Sequence, residues 1–165
     1  MRLALFQPDI PPNTGTMLRM SACFGIPVDV IEPCGFPFSE AALRRAGMDY
    51  LDKVQLTRHL DWQNFLATIG HGRADGPRLV LLTTKSAVPH TDLIYRKDDI
   101  LLVGQESAGA PPEVHAAAGA RVRIPMQAGT RSLNVAISAA IVLAEALRQT
   151  GGWPQDDQIE QGTTP

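Results

Sequence analysis

Short apolar runs and longer amphipathic stretches alternate along the chain. Leu3-Ala4-Leu5-Phe6 reads as a strand that opens near Arg2 and is stopped by Pro8, Pro11 and Pro12. Asn13 or Thr14 is placed to cap a helix running to about Phe24, with Gly25 as its C-terminal stop. Val28 to Ile31 reads as a second strand, closed by Pro33 and Gly35. A second helix is expected over 39–47, a strand over 54–56 and a helix over 62–69. The runs at 79–82 and 100–103 are apolar throughout, as in parallel strands covered on both faces. Pro111 and Pro112 favour a short helix through Ala118, followed by a strand over 121–124 and a long apolar helix over 133–149. Strand and helix in alternation predict an α/β domain, a mainly parallel sheet flanked by helices. Ligands of such sheets bind beyond the carboxyl ends of the strands. The loops after Phe6, Leu82, Val103 and Ile124 therefore matter most.

At 165 residues the chain is the size of one domain with one sizeable core. The reading assigns 1–151 to that domain and 152–165 to a flexible tail. Apolar residues make up 44% and charged ones 19%, a folded rather than a disordered balance. The apolar stretches are too short to span a bilayer, and no signal-peptide layout precedes the first strand. A cytoplasmic protein with no membrane partner is expected. Cys23 and Cys34 cannot supply a disulfide framework or a four-ligand zinc site. His59, His71, His90 and His115 fall at no metal-ligand spacing, so no metal is expected. A net charge of −2 gives no overall pull toward nucleic acid. Basic residues nevertheless gather at Arg44, Arg45, Lys53 and Arg58, and again at Arg121, Arg123 and Arg131.

Three segments carry the candidate chemistry. In Pro11-Pro12-Asn13-Thr14-Gly15, the prolines fix the approach and Gly15 permits close backbone contact, with Arg19 following in the helix. Arg19 reads either as an exposed helical arginine or as a phosphate-binding fork. Gly104-Gln105-Glu106-Ser107-Ala108-Gly109 joins a strand to a proline-started helix. It has neither the Lys-Ser/Thr of a P-loop nor the glycine spacing of a Rossmann turn, which sets aside the usual ATP and NAD motifs. In the third segment, a strand ends at Pro125 and a small-residue helix begins near Ser132 and Asn134, both able to satisfy helix-start donors.

In this order the segments resemble the three motifs of SPOUT methyltransferases, over almost the whole chain. The likeness is greatest to the short tRNA (cytidine/uridine-34-2′-O)-methyltransferases. It rests also on Ile31-Glu32-Pro33, Arg44-Arg45-Ala46-Gly47, Asp49-Tyr50, Leu82-Thr83-Thr84-Lys85, Arg123-Ile124-Pro125-Met126 and Arg131-Ser132-Leu133-Asn134. The resemblance implies a C-terminal trefoil knot whose loops hold S-adenosylmethionine largely through backbone groups. Those contacts fall on Leu82, Gly104, Ile124, Ser132 and Leu133. It implies a homodimer that buries the first and last helices.

The expected reaction is methylation of the 2′-hydroxyl of the wobble nucleotide in the anticodon stem-loop of tRNA, with leucine tRNAs as acceptors. Arg19 takes the position assigned to hydroxyl activation, as a proton acceptor or as a cation beside the alkoxide. Asn13 and Glu106 complete the expected catalytic set, and Arg44, Arg45, Tyr50 and Arg131 are the expected RNA contacts. For Arg44 and Arg45 a merely solvated helix face stays open. Ala108 departs from the pattern, since many relatives have arginine there. Methylation of ribosomal RNA or of another tRNA position, and a non-catalytic RNA-binding homologue, are the alternatives. A phospho-accepting receiver module is set aside because Asp9 stands isolated and no acid closely follows Leu56.

Overall fold

The computed structural model describes residues 1–38 and 53–155. Among them, six strands form one sheet in which every neighbouring pair is parallel. They are β1 (Arg2–Phe6), β2 (Val28–Ile31), β3 (Leu56–His59), β4 (Leu79–Leu82), β5 (Ile100–Val103) and β6 (Ala120–Val122). Their spatial order is β3-β2-β1-β5-β4-β6. The helices are α1 (Pro11–Phe24), α2 (Trp62–Thr68), α3 (Pro112–Ala117) and α4 (Val135–Thr150). The α/β class expected from the alternating pattern is the one observed.

The strands are apolar at consecutive positions because both faces of the sheet are covered. Side chains alternate across a strand, so Leu3 and Leu5 join one core while Ala4 and Phe6 join the other. The first core takes in Met17 and Leu18 of α1 and Ala139, Val142 and Leu143 of α4. The second is closed by Trp62 and Phe65 of α2 and Val114 of α3. Trp62 is thus a packing residue, edge-on to Phe6 at 5.6 Å between ring centres.

Two buried carboxylates fasten strands to their neighbours. Asp29 of β2 is fully buried and accepts a forked pair of bonds from Arg2 of β1, each 2.7 Å, with His59 of β3 at 2.7 Å. Asp99, also fully buried, binds Arg78 through both oxygens and accepts from the backbone N–H of Arg96. Such pairs satisfy charges whose desolvation would otherwise be costly.

Several boundaries differ from the sequence expectation. α1 opens at Pro11, because proline supplies a helical φ and has no N–H to leave unpaired at a first-turn position. Ile10 occupies the cap position without a side-chain bond, and Asn13 sits inside the first turn rather than capping it. The strand expected over 54–56 lies at Leu56–His59. It is an edge strand with exposed Thr57 and Arg58, so apolar pattern alone misplaces it. The regular part of β6 stops at Val122, and Arg123 continues by pairing singly with Pro89. α4 begins at Val135 because Asn134 caps it, accepting from the N–H groups of Ala136 and Ile137. Gly25 ends α1 in the left-handed region at φ 64°, as expected. The helix expected over 39–47 lies outside the described residues, as do residues 156–165 of the expected tail. Nearer the helix, Trp153 packs edge-on against Phe24 at 5.1 Å.

Candidate functional site

β1 lies between β2 and β5, and chain order changes direction between the two halves of the sheet there. A crevice at the carboxyl ends of the strands is expected at such a point. The structure has a cavity of about 550 Å³ in this region, within the range of small-molecule sites. The loops following β4, β5 and β6 and the start of α4 form its walls, and Ile10 and Asn13 close one side. All five expected cofactor positions, Leu82, Gly104, Ile124, Ser132 and Leu133, line it.

The loop after β5 is folded back on itself. Gln105 and Gly109 exchange backbone hydrogen bonds of 3.1 and 2.9 Å, and Gly109 turns the chain at φ 72°. A Cβ on Gly104 would lie 2.6 Å from the backbone of both Gly109 and Ala110. Only glycine fits there, and its absent side chain leaves this wall of the cavity as bare backbone. Leu82, Val103, Ile124 and Leu133 supply apolar surface around it. Apolar side chains beside exposed backbone suit a flat heteroaromatic ring and an aliphatic chain, with Lys85, Glu106 and Arg131 among the polar groups lining the same cavity. The cavity therefore fits the nucleoside cofactor that the resemblance implies.

A chain of hydrogen bonds links the start of α4, the first turn of α1 and the loop after β5. Asn134 Oδ1 caps α4, which leaves its Nδ2 to donate to Asn13 Oδ1 at 2.8 Å. Asn13 Nδ2 is thereby turned toward Glu106 and donates to Oε1 at 3.2 Å. The cap fixes one amide and the chain of donors fixes the next, so neither orientation is arbitrary. Glu106 Oε2 accepts from the backbone N–H of Asp9 at 3.1 Å. Asp9 returns the bond, accepting from the N–H groups of Glu106 and Ser107 and from the Ser107 hydroxyl. Burial, with the Asp9 carboxylate next in weight, holds the Glu106 carboxyl above the usual carboxylate range. Asp9 is held below it, chiefly by its bond with Glu106.

The remaining expected site residues divide. Arg131 lines the cavity and is exposed. Arg19 is exposed on α1 and does not line the cavity of its own chain. Arg44, Arg45 and Tyr50 lie outside the described residues. Lys85 and His115 also line the cavity, and the sequence reading gave neither a role. Burial pushes the His115 imidazole pKa down, and the cations Lys85 and Arg121 push it further. Asp9, isolated in sequence, is the other residue missed. Its partner lies 97 positions away, and only the pairing of β1 with β5 brings the two loops together. Among the described residues no group of histidine, cysteine or acidic side chains is arranged to hold a metal ion.

Comparison with known proteins gives the arrangement its context. The sequence pattern of the SpoU rRNA Methylase family matches residues 1–144. A tRNA (cytidine(34)-2′-O)-methyltransferase of Beijerinckia indica subsp. indica is 59% identical over 150 residues, 90% of this chain and 91% of that protein. A solved structure bearing on the 2-OH methylation of C/U34 on tRNA superposes with a TM-score of 0.82 at 36% identity, covering 90% of this chain and 94% of that one. An AdoMet-bound rRNA methyltransferase from Sinorhizobium meliloti superposes with a TM-score of 0.77 at 31% identity, covering 89% of this chain and 55% of that one.

Proposed function

The chain belongs to the SpoU rRNA Methylase family, and on that premise we propose that it methylates the ribose 2′-hydroxyl of nucleotide 34, the wobble position of tRNA, with S-adenosylmethionine as donor. The observation that carries the reading is the cavity at the carboxyl ends of β1, β4, β5 and β6. Its walls unite all five expected cofactor positions with Asn13 and Glu106. The high identity to a protein of that activity over nine-tenths of both chains supports the choice of substrate.

When bound, S-adenosylmethionine supplies an electrophilic methyl group on a sulfonium. The backbone of the loop after β5 and the side chains of Leu82, Ile124 and Leu133, which line the cavity, would hold the donor and exclude water from it. Glu106, its carboxylate already fixed by Asn13 and Asp9, keeps acceptor capacity for a ribose hydroxyl at the cavity wall. Positioning the 2′-oxygen against the bound donor would supply much of the rate, with S-adenosylhomocysteine as the leaving product and the hydroxyl proton passing to solvent. Arg131 and Lys85 meet RNA phosphate at the rim.

The reading includes a homodimer. Ile137 is 54% exposed on the first turn of α4, which packs on α1. Covering it with a second copy removes it from water. Arg19, exposed on α1, then serves the partner's cavity, where its guanidinium stabilises the developing alkoxide. The reading also includes a trefoil knot between β4 and α4. It is supported by the lay of segment 86–90 along β6, where Ser86 bonds the carbonyl of Arg121 and Arg123 bonds both Val88 and His90. The protein acts in the cytoplasm, on the anticodon stem-loop.

The test is methyl transfer from labelled S-adenosylmethionine to total tRNA, with nucleoside mass spectrometry of the digest. A 2′-O-methylated pyrimidine at position 34 is the expected product. Label appearing in ribosomal RNA alone would overturn the substrate assignment.

A further inference from the structure

Asp9 lies in the loop between β1 and α1, and Glu106 in the loop after β5. Their bonds are reciprocal. The Asp9 N–H donates to Glu106 Oε2, and the Glu106 N–H donates to Asp9 Oδ1, both at 3.1 Å. Asp9 Oδ2 takes the Ser107 N–H at 3.3 Å and the Ser107 hydroxyl as well. The pattern is that of a capping box, in which each residue satisfies the other's backbone donor, but here it joins two loops 97 positions apart.

A third loop backs the arrangement. The Gly35 N–H donates to the carbonyl of Pro8 at 2.9 Å. A Cβ at Gly35 would lie 2.6 Å from the Cβ of Asp9 and 2.9 Å from its Cα. Asp9 is therefore pressed from behind by the loop that follows β2 and held in front by the loop that follows β5. Nothing in the fold of α1 requires this, since Asp9 precedes the helix and does not cap it.

We propose that Asp9 is a positioning residue for methyl transfer, locking the carboxylate of Glu106 in the orientation that receives the ribose hydroxyl. The inference rests on the proposed role of Glu106 in that reaction. Asn13 fixes one oxygen of Glu106 and the Asp9 N–H the other, so the carboxylate cannot rotate. The Asp9 carboxylate acts on the main chain of the same residue, holding the Glu106 and Ser107 N–H groups. Burial raises the Glu106 pKa and the nearby Asp9 carboxylate raises it further, which strengthens Glu106 as a hydrogen-bond acceptor. Small errors in such positioning cost large factors in rate.

The experiment compares Asp9→Asn, Glu106→Gln and the double variant in single-turnover methylation of tRNA. S-adenosylmethionine and tRNA affinities and melting temperature are measured alongside. Asn at position 9 keeps the size of the side chain and replaces one acceptor oxygen with a donor that opposes Ser107. The expected result is at least a ~10-fold slower single-turnover rate for Asp9→Asn, with both affinities within about threefold of wild type. The double variant should be no slower than Glu106→Gln alone, because residues acting as one unit are not additive. Multiplicative losses in the double variant, or an Asp9→Asn rate equal to wild type, overturn the proposal. Wild-type protein that transfers no methyl group to tRNA overturns the underlying functional reading instead, which separates the two failures.

Discussion

Asn134 donates through Nδ2 to Oδ1 of Asn13 at 2.8 Å, across 121 positions of chain. The bond joins the first turn of α1 to the cap of α4, so helix capping and site geometry share one side chain. Because Asn134 Oδ1 is committed to two backbone donors, its amide cannot flip without uncapping α4.

Asn134→Asp separates the two duties. Aspartate caps as well as asparagine, so the melting temperature should stay within about 3 °C of wild type. The donor to Asn13 is lost, and Asn13 turns its oxygen toward Glu106, an acceptor facing an acceptor. The methylation rate should fall by roughly 10-fold or more. Asn134→Ala should lose the cap too, at about 1 kcal/mol. Thermal melts with initial rates decide it; an Asn134→Asp variant with wild-type rate would show that the Asn13 bond is dispensable.

Gly104→Ala tests the folded-back loop. The added methyl would meet backbone at 2.6 Å, which no side-chain rotation relieves. The loop must shift, costing about 1–3 kcal/mol of stability by analogy with overpacked sites. S-adenosylmethionine binding should weaken at least ~10-fold, since the shifted backbone is the wall of its cavity. Calorimetric titration reads this directly, and unchanged affinity would place the donor elsewhere.

Arg19→Ala should abolish turnover while leaving S-adenosylmethionine affinity close to wild type, because the role proposed for its guanidinium is at the ribose oxygen and not at the donor. The proposed arrangement in trans has a sharper consequence. Mixing Arg19→Ala with Glu106→Gln protomers yields hybrid dimers in which one site receives an intact Arg19 and keeps an intact Glu106. Activity should return on mixing, toward one working site per hybrid dimer. If both parents and the mixture stay inactive, Arg19 works within its own chain or not at all.

The two thiols should differ in reactivity. Burial, then the nearby Glu32 carboxylate, pushes the Cys34 thiol up to about 11 from 9.0. Cys23 is exposed on α1. At pH 8 the thiolate fraction of Cys34 is roughly 100-fold below that of an ordinary thiol, and only thiolate is alkylated. Peptide mass spectrometry after brief iodoacetamide treatment should therefore find Cys23 modified first. The sign for stability follows from the raised folded value. The contribution is whole below pH 9 and is lost as pH climbs toward 11. Cys34→Ala should flatten that alkaline loss.

What could be read in the sequence was what local patterns determine. β4 and β5 announce themselves because both faces are buried, so every position is apolar. β3 does not, since at the sheet edge Thr57 and Arg58 face water and leave no alternation to find. Asn13 looked like a cap because the rules for caps see only neighbouring residues. Its actual partners are Glu106 and Asn134, 93 and 121 positions away. Asp9 stands isolated in sequence for the same reason, its partner Glu106 lying 97 positions away. The five cavity positions were reached through motif resemblance, not through periodicity, because residues gathered from separate segments of the chain leave no compositional trace.

The central place of β1 has a consequence for how the protein is made. Its partner on one side, β2, leaves the ribosome soon after it, but β5 follows roughly 70 residues behind β2, several seconds of synthesis later. Through that interval the nascent chain carries an unpaired strand edge along Leu3, Ala4 and Leu5, side chains fully buried in the finished protein. Stalled or prematurely ended chains that stop before Ile100 keep that edge permanently open. Such fragments are therefore the species most prone to aggregate, and the ones on which chaperones and proteases act first.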